Sequence, residues 1–174
     1  MANSVNTLFS VLTILSQLVI LWLLFAWLFD AKVPSVIYRH AIALAFAAAL
    51  LATLGSLTYS EMLGYEPCKL CWLQRIFMYP QVLILGFALW GRHKESRALL
   101  DLSLVMSAIG GVIALYHYLM QLGFVPEGSC AAVGYSVSCA KTFVLQFGYI
   151  TIPMMALSAF FLIILSLRAR GRSA

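Results

Sequence analysis

The residues best suited to chemistry in this chain are its four cysteines, which fall into two pairs: Cys68 with Cys71, separated by Lys69 and Leu70, and Cys130 with Cys139. Two intervening residues let the thiols of a CxxC close a tight, redox-active disulfide, and a helix N-terminus beside one of them stabilises its thiolate. A second pair within reach makes a relay for moving disulfides. Arg75 lies one helical turn beyond Cys71 on the same face. Its guanidinium is suited to stabilise a thiolate and to hydrogen-bond a carbonyl oxygen. An arginine just inside an apolar segment also snorkels to phospholipid headgroups, and position alone leaves both roles open.

The elements that must position these residues are membrane helices. Of the residues, 63% are apolar and 10% charged, a balance that excludes a soluble globular domain. Five apolar stretches, about Leu8 to Phe29, Ala41 to Tyr59, Trp72 to Trp90, Ala98 to Leu122 and Phe147 to Leu167, are each long enough to cross a hydrocarbon core of about 30 Å as helix. The first is expected to be a spanning helix rather than a cleaved signal: no Lys or Arg precedes it, it is long for a signal core, and no small-x-small site follows closely. No internal repeat or low-complexity tract divides the chain. A single all-helical membrane domain is expected.

Charge sets the expected orientation. If the five helices alternate, Lys32, Arg39, Arg92, Lys94, Arg97, Arg168, Arg170 and Arg172 share one side, eight of the eleven basic residues. Lys69, Arg75 and Lys141 fall on the other. The basic side is then cytoplasmic, with the C-terminus, and both cysteine pairs face the extracytoplasmic side, where disulfides persist in bacteria. The net charge of +5 is thus a topology signal, and nothing calls for nucleic acid. The partners implied by the composition are the lipid bilayer and soluble molecules that reach the outer loops.

The segment Glu66-Pro-Cys-Lys-Leu-Cys-Trp-Leu-Gln-Arg-Ile-Phe-Met-Tyr-Pro80, with Tyr116-His117-Tyr118, the spaced Cys130 and Cys139, and Phe147-Gly-Tyr-Ile-Thr-Ile-Pro153, resembles the DsbB/BdbC family of membrane disulfide-bond formation proteins, in particular its short, BdbC-like branch. The likeness runs from about Ala41 to Leu167. It implies a four-helix core over 41–167; the sequence departs from the family in an extra N-terminal helix and connection over 1–40, and it ends in a basic tail over 168–174 expected to be cytoplasmic. It further implies a thiol:quinone oxidoreductase of the bacterial cell (inner) membrane. Such a protein reoxidises a soluble, thioredoxin-like thiol oxidase (DsbA/BdbD-like) and passes the electrons to the membrane quinone pool, ubiquinone or menaquinone. Carried over by position, Cys68 and Cys71 are the quinone-linked pair with Cys71 next to the ring, Cys130 is attacked by the partner, Cys139 is its mate, and Arg75 contacts quinone. His117 is either a quinone-pocket residue or a packed helix residue.

Thiol–disulfide exchange fits that cycle chemically, and no Gly-rich nucleotide or flavin fingerprint offers another electron acceptor. Other readings of the residues stay open. Both bridges can be structural staples of a non-enzymatic scaffold. A zinc site has a usual ligand spacing only in the first pair, so no metal is expected. A quinone reductase of the vitamin K epoxide reductase type shares the CxxC logic but normally places the spaced pair before the CxxC. Gly110 and Gly111 are expected to admit a close helix neighbour, and Pro80 and Pro153 to kink their spans. Lys141, Phe143, Phe147 and Tyr149 are expected to form a short amphipathic segment at the outer surface.

Overall fold

A computed structural model describes residues 2–29, 35–90, 96–127, 130 and 137–171. Lys32, Arg92, Lys94 and Arg172, four of the residues behind the expected orientation, lie outside the described residues. The chain forms α1 (Ala2–Leu28), α2 (Ser35–Leu57) with a π-helical extension Thr58–Met62, α3 (Lys69–Trp90), α4 (Arg97–Gln121) and α5 (Ile152–Gly171). All five helices are long and apolar enough to cross a membrane. In hydrocarbon no water satisfies backbone polar groups, so an apolar run must close its hydrogen bonds within itself, and helix is the outcome.

α2, α3, α4 and α5 form a ring in which each helix packs on its two neighbours, α3 and α5 being a diagonal pair; α1 packs outside the ring against α5. Half of the most apolar window of α5 is buried, against 17% for α1, which makes α5 the axle of the bundle and α1 its outrigger. The core gathers Ala45, Ala49, Leu85, Ala114, Phe160 and Ile163, all fully buried. Large apolar side chains such as Leu21, Leu83, Phe87, Val105 and Val112 are exposed on the outside, as a lipid-facing surface requires. The protein is a multi-pass helical membrane bundle.

Close packing and buried polar pairs hold the ring together. The Phe160 ring of α5 lies directly on Gly110 of α4, where a Cβ would overlap it, while Gly111 would meet only Phe160 Cβ at 3.6 Å. On the facing side, Gln81 of α3 accepts from Ser103 Oγ (2.7 Å) and Ser107 Oγ (3.0 Å) of α4 and donates to the Phe77 carbonyl (2.9 Å). Such bonds fasten α3 to α4 where lipid offers no competing partner.

The helix ends differ most from the sequence expectation at three starts: α1 and α2 begin earlier, at Ala2 and Ser35 rather than Leu8 and Ala41, and α5 begins later. α5 begins at Ile152, not Phe147, because Phe147 and Gly148 both take positive φ (52° and 78°) and the chain reverses tightly between Gln146 and Ile150, which exchange two 2.9 Å backbone bonds. Lys141, Phe143, Phe147 and Tyr149 accordingly sit in irregular chain and a turn, not in a helix. Pro153 occupies the first turn of α5, where its missing N–H costs no helical bond and no kink is required. Pro80 lies inside α3, which continues through it. α4 ends on Gly123 (φ 79°), with Phe124 N–H reaching back to the Leu119 carbonyl (3.0 Å), a left-handed cap that turns the chain into the second cysteine loop.

The two adjacent glycines make the Phe160 contact testable. Gly110→Ala should lower the thermal stability of the detergent-solubilised protein by about 1–3 kcal/mol, the usual cost of overpacking. Gly111→Ala should change it little, and equal effects would show that Phe160 is not seated on Gly110.

Candidate functional site

The four cysteines converge at one end of the bundle. Pro67 ends the short connection after α2, and Cys68 then stands at the N-cap of α3: its carbonyl accepts from Trp72 N–H (3.1 Å) and its sulfur from Cys71 N–H (3.4 Å). A thiolate in that position sits on the positive end of the helix dipole. Cys71, one turn in, holds its sulfur 3.0 Å from that of Cys68. Cys130 and Cys139 are joined as a disulfide with Cα atoms 5.8 Å apart. Cys68, Cys130, Cys139 and Met120 form one buried cluster against which Leu70, Cys71 and Ala140 pack.

His117 of α4 ties the pairs together. Its Nε2 lies 3.0 Å from the Cys139 carbonyl and 3.7 Å from Cys68 Sγ, and its Nδ1 lies 3.0 Å from Gln74 Nε2. A carbonyl only accepts, so Nε2 carries the proton, and Nδ1 accepts from the Gln74 amide. One ring proton thereby faces both the backbone of the second pair and the sulfur of the first. The sulfurs of Cys68 and Cys71 and a His117 ring nitrogen also lie within 4.8 Å of one another, but both ring nitrogens are already engaged in hydrogen bonds. Cys68 is held below the usual thiol range, chiefly by the hydrogen bond from Cys71 and with help from His117, against the opposing effect of burial.

Cys71 faces the other way, onto a cavity of about 330 Å³ lined by α1, α2, α3, α5 and the segments carrying Tyr65 and Phe143. Gln74 and Arg75 share its wall with Cys71, whereas Cys68 and His117 do not line it. Arg75 Nε donates to Ser56 Oγ (2.9 Å) and its Nη2 to the Ser56 carbonyl (3.2 Å), with the guanidinium 5.1 Å from the Trp72 ring centre. Tyr79 Oη also donates to Ser56 Oγ (3.1 Å). Both lone pairs of Ser56 Oγ are thus taken, and its own proton has no acceptor among the described residues, leaving a hydroxyl donor on the cavity wall beside Arg75. Four rings close the cysteine end of the cavity: Phe9 on Tyr59 (5.7 Å between centres), Tyr59 on Tyr65 (6.0 Å) and Tyr65 on Phe143 (5.1 Å).

The sequence candidates Cys68, Cys71, Cys130, Cys139, Arg75 and His117 therefore meet at one end, divided between two faces of the start of α3. Ser56, Gln74 and Tyr79 escaped sequence reading. Gln74 lies between Cys71 and Arg75 in the chain, and a glutamine just inside a span was the one visible signal for it.

A membrane bundle that carries two adjoining cysteine pairs, one capping a helix beside a cavity and the other in a loop, is a membrane-embedded thiol–disulfide protein. Residues 38–169 match the family described as Disulfide bond formation protein DsbB, and the chain belongs to that family. It is 44% identical over 122 residues, 70% of this chain and 85% of the relative, to the probable disulfide formation protein C of Bacillus cereus (strain ATCC 14579). It is 45% identical over 120 residues (67% and 82%) to the disulfide bond formation protein C of Bacillus subtilis (strain 168), and 41% identical over 120 residues (69% and 78%) to an SPbeta prophage-derived disulfide bond formation protein B of the same strain. No solved structure matches the chain. Membership makes this protein a thiol oxidoreductase of disulfide bond formation, and α1 precedes the matched segment.

The depressed Cys68 thiol has a measurable sign. In a variant with Cys130 and Cys139 both replaced by Ala, the reduced protein should show thiolate ultraviolet absorbance at neutral pH, lost only as pH falls through the lowered value. An unperturbed thiol would ionise only near pH 8.5. Adding Cys71→Ala should move the titration upward, and His117→Leu should move it upward by less. Absorbance that rises only in alkali would remove the thiolate from the site.

Proposed function

We propose that this protein is a quinone-dependent thiol:disulfide oxidoreductase that reoxidises a soluble, thioredoxin-like thiol oxidase (DsbA/BdbD-like) on the extracytoplasmic side of a bacterial cell membrane. One observation carries the reading: Cys71 lies on a membrane cavity with Arg75 and Ser56, while Cys68, three residues away, packs with Cys130 and Cys139. The two ends of one CxxC thus address two different reaction partners. Residues 41–167 supply this chemistry, 1–40 an added helix and 168–174 a cytoplasmic tail. Arg39, Arg97, Arg168 and Arg170 near the end opposite the cysteines support the orientation.

In the cycle, a thiolate of the partner attacks Cys130, a mixed disulfide forms and Cys139 leaves as thiolate. The partner's second thiol then displaces Cys130, so the partner departs oxidised and the Cys130–Cys139 pair stays reduced. Cys139, whose carbonyl is tied to the His117 ring that also faces Cys68, attacks Cys68 of an oxidised Cys68–Cys71 pair and releases Cys71 as a thiolate toward the cavity. Arg75, on the same wall, is the cation available to that charge. Cys130 resolves the Cys68–Cys139 bridge, restoring its own disulfide and leaving Cys68 and Cys71 reduced.

The cavity suits a quinone headgroup: its volume falls at the small end of ligand pockets, its walls are apolar, and a guanidinium and a free hydroxyl donor stand beside Cys71 for a carbonyl oxygen. Bound there, a quinone supplies a two-electron, two-proton acceptor that returns the Cys68–Cys71 dithiol to the disulfide. Ubiquinone and menaquinone both present such carbonyls. Arg75 and Ser56 would hold one of them; His117, off the cavity wall, acts on the cysteines and reaches the cavity through Gln74.

Purified protein given quinone and a reduced thioredoxin-like partner should form quinol in step with partner disulfide, and a chain inert in that assay would be a scaffold. Cys139→Ala should trap the partner on Cys130 as a long-lived mixed disulfide on non-reducing gels, and Cys130→Ala should not. Equal trapping by both would reverse the order of attack.

Loss of the charge-assisted bond in Arg75→Ala should raise the Michaelis constant for quinone about ten- to a hundredfold, equivalent to roughly 1.5–3 kcal/mol. Lys at 75 should recover part of it, and Ser56→Ala should cost about three- to tenfold. Unchanged quinone kinetics in Arg75→Ala would return the residue to a lipid-headgroup anchor.

A further inference from the structure

We infer that α1, the helix outside the matched family segment, is the wall that receives the apolar tail of the quinone, and that the cleft between α1 and α2 is the side through which the tail passes from the bilayer. This rests on the reading of the cavity as the quinone site. Six α1 residues line that cavity, Phe9, Leu12, Thr13, Leu15, Ser16 and Val19, a stripe with the three- and four-residue spacing of one helix face. At 1.5 Å per residue the stripe runs about 15 Å along the helix, starting at the aromatic roof near Cys71 and ending deep among Leu44 and Leu162. That length exceeds what a single ring needs and continues away from every polar group that would hold the ring.

The stripe offers a tail no hydrogen bonds. Thr13 Oγ1 donates to the Phe9 carbonyl and Ser16 Oγ to the Thr13 carbonyl, both at 2.7 Å, so the two hydroxyls are turned back on their own helix. Among the described residues, the hydrogen bonds that tie this part of α1 to other elements run toward α5 and the turn before it. Gln17 donates to Ser158 of α5 (3.2 Å) and accepts from Tyr149 Oη (2.8 Å), and α1 packs along α5. Toward α2 it reaches across with the Phe9 ring, 2.9 Å from where a Cβ on Gly55 would stand. Beyond that contact the cavity itself separates the two helices, which makes this seam the lateral door and leaves Phe9 as its upper latch.

The test uses the full-length protein in detergent and a long-chain quinone carrying a photoreactive group on its tail. Irradiation should place adducts within residues 9–19, and excess unlabelled long-chain quinone should suppress them. Val19→Trp, which fills the deep end of the wall, should raise the ratio of the dissociation constants for long-chain and tail-less quinone about tenfold. Competed adducts confined to other helices, or equal loss of both quinones in Val19→Trp, would remove α1 from tail recognition while the quinone site stood. No competed adduct anywhere, together with quinone binding unaffected by Arg75→Ala, would bring down the cavity assignment itself.

Discussion

A polar side chain within the spans of this bundle finds no partner in the surrounding hydrocarbon. The chain answers by spending its largest polar side chains between helices, while the buried hydroxyls of Ser10, Thr53 and Ser166 find no partner among the described residues. Gln81 fastens α3 to α4 through two serines, and Gln17 fastens α1 to α5 and to the turn before it. Arg75 and Tyr79 fasten α3 to α2 at Ser56. Gln74 and His117 join α3 to α4 where the cysteines lie. The bonds that position the site are thus the same bonds that assemble the bundle, and the precision of the thiol geometry comes with the fold.

Much of this was legible in the sequence, for identifiable reasons. Membrane helices announce themselves by length and hydropathy, so all five spans were visible, and the close contact at Gly110 was anticipated from residue size. The CxxC with Arg75 marked the start of α3. The misplaced start of α5 has an equally physical cause: Phe147 is apolar and sits in a non-glycine left-handed conformation, which no propensity argument favours. Pro153 was read as a kink because the helix was assumed to begin earlier.

The site was legible in the residues as a set of types, and its pairings entered the sequence reading only through the family resemblance. Nothing in the spacing says that Cys68 turns toward Cys139 and Cys71 toward a cavity; that division follows from the N-cap geometry of Cys68 and the helical rise to Cys71. Ser56 lies in a stretch of alanines and leucines and is indistinguishable there from a packing residue. Its importance arises only when two donors from α3 occupy its lone pairs. A helix that precedes the family match is likewise silent in sequence, and its share of the cavity wall emerges from packing alone.

The burial of Cys68, whose residue exposes 3% of its surface, bears on fidelity. Small thiols such as glutathione are abundant and reactive, and an exposed CxxC wired to an electron acceptor would burn through them without discrimination. Here Cys68 is insulated by Met120, Leu70 and the second disulfide, so in the proposed cycle reducing equivalents reach it by way of the second pair, in a loop that a protein can engage. Shielding of Cys68 thus favours a protein partner over a small thiol by steric exclusion, a selectivity separate from the electrostatic control of its thiolate.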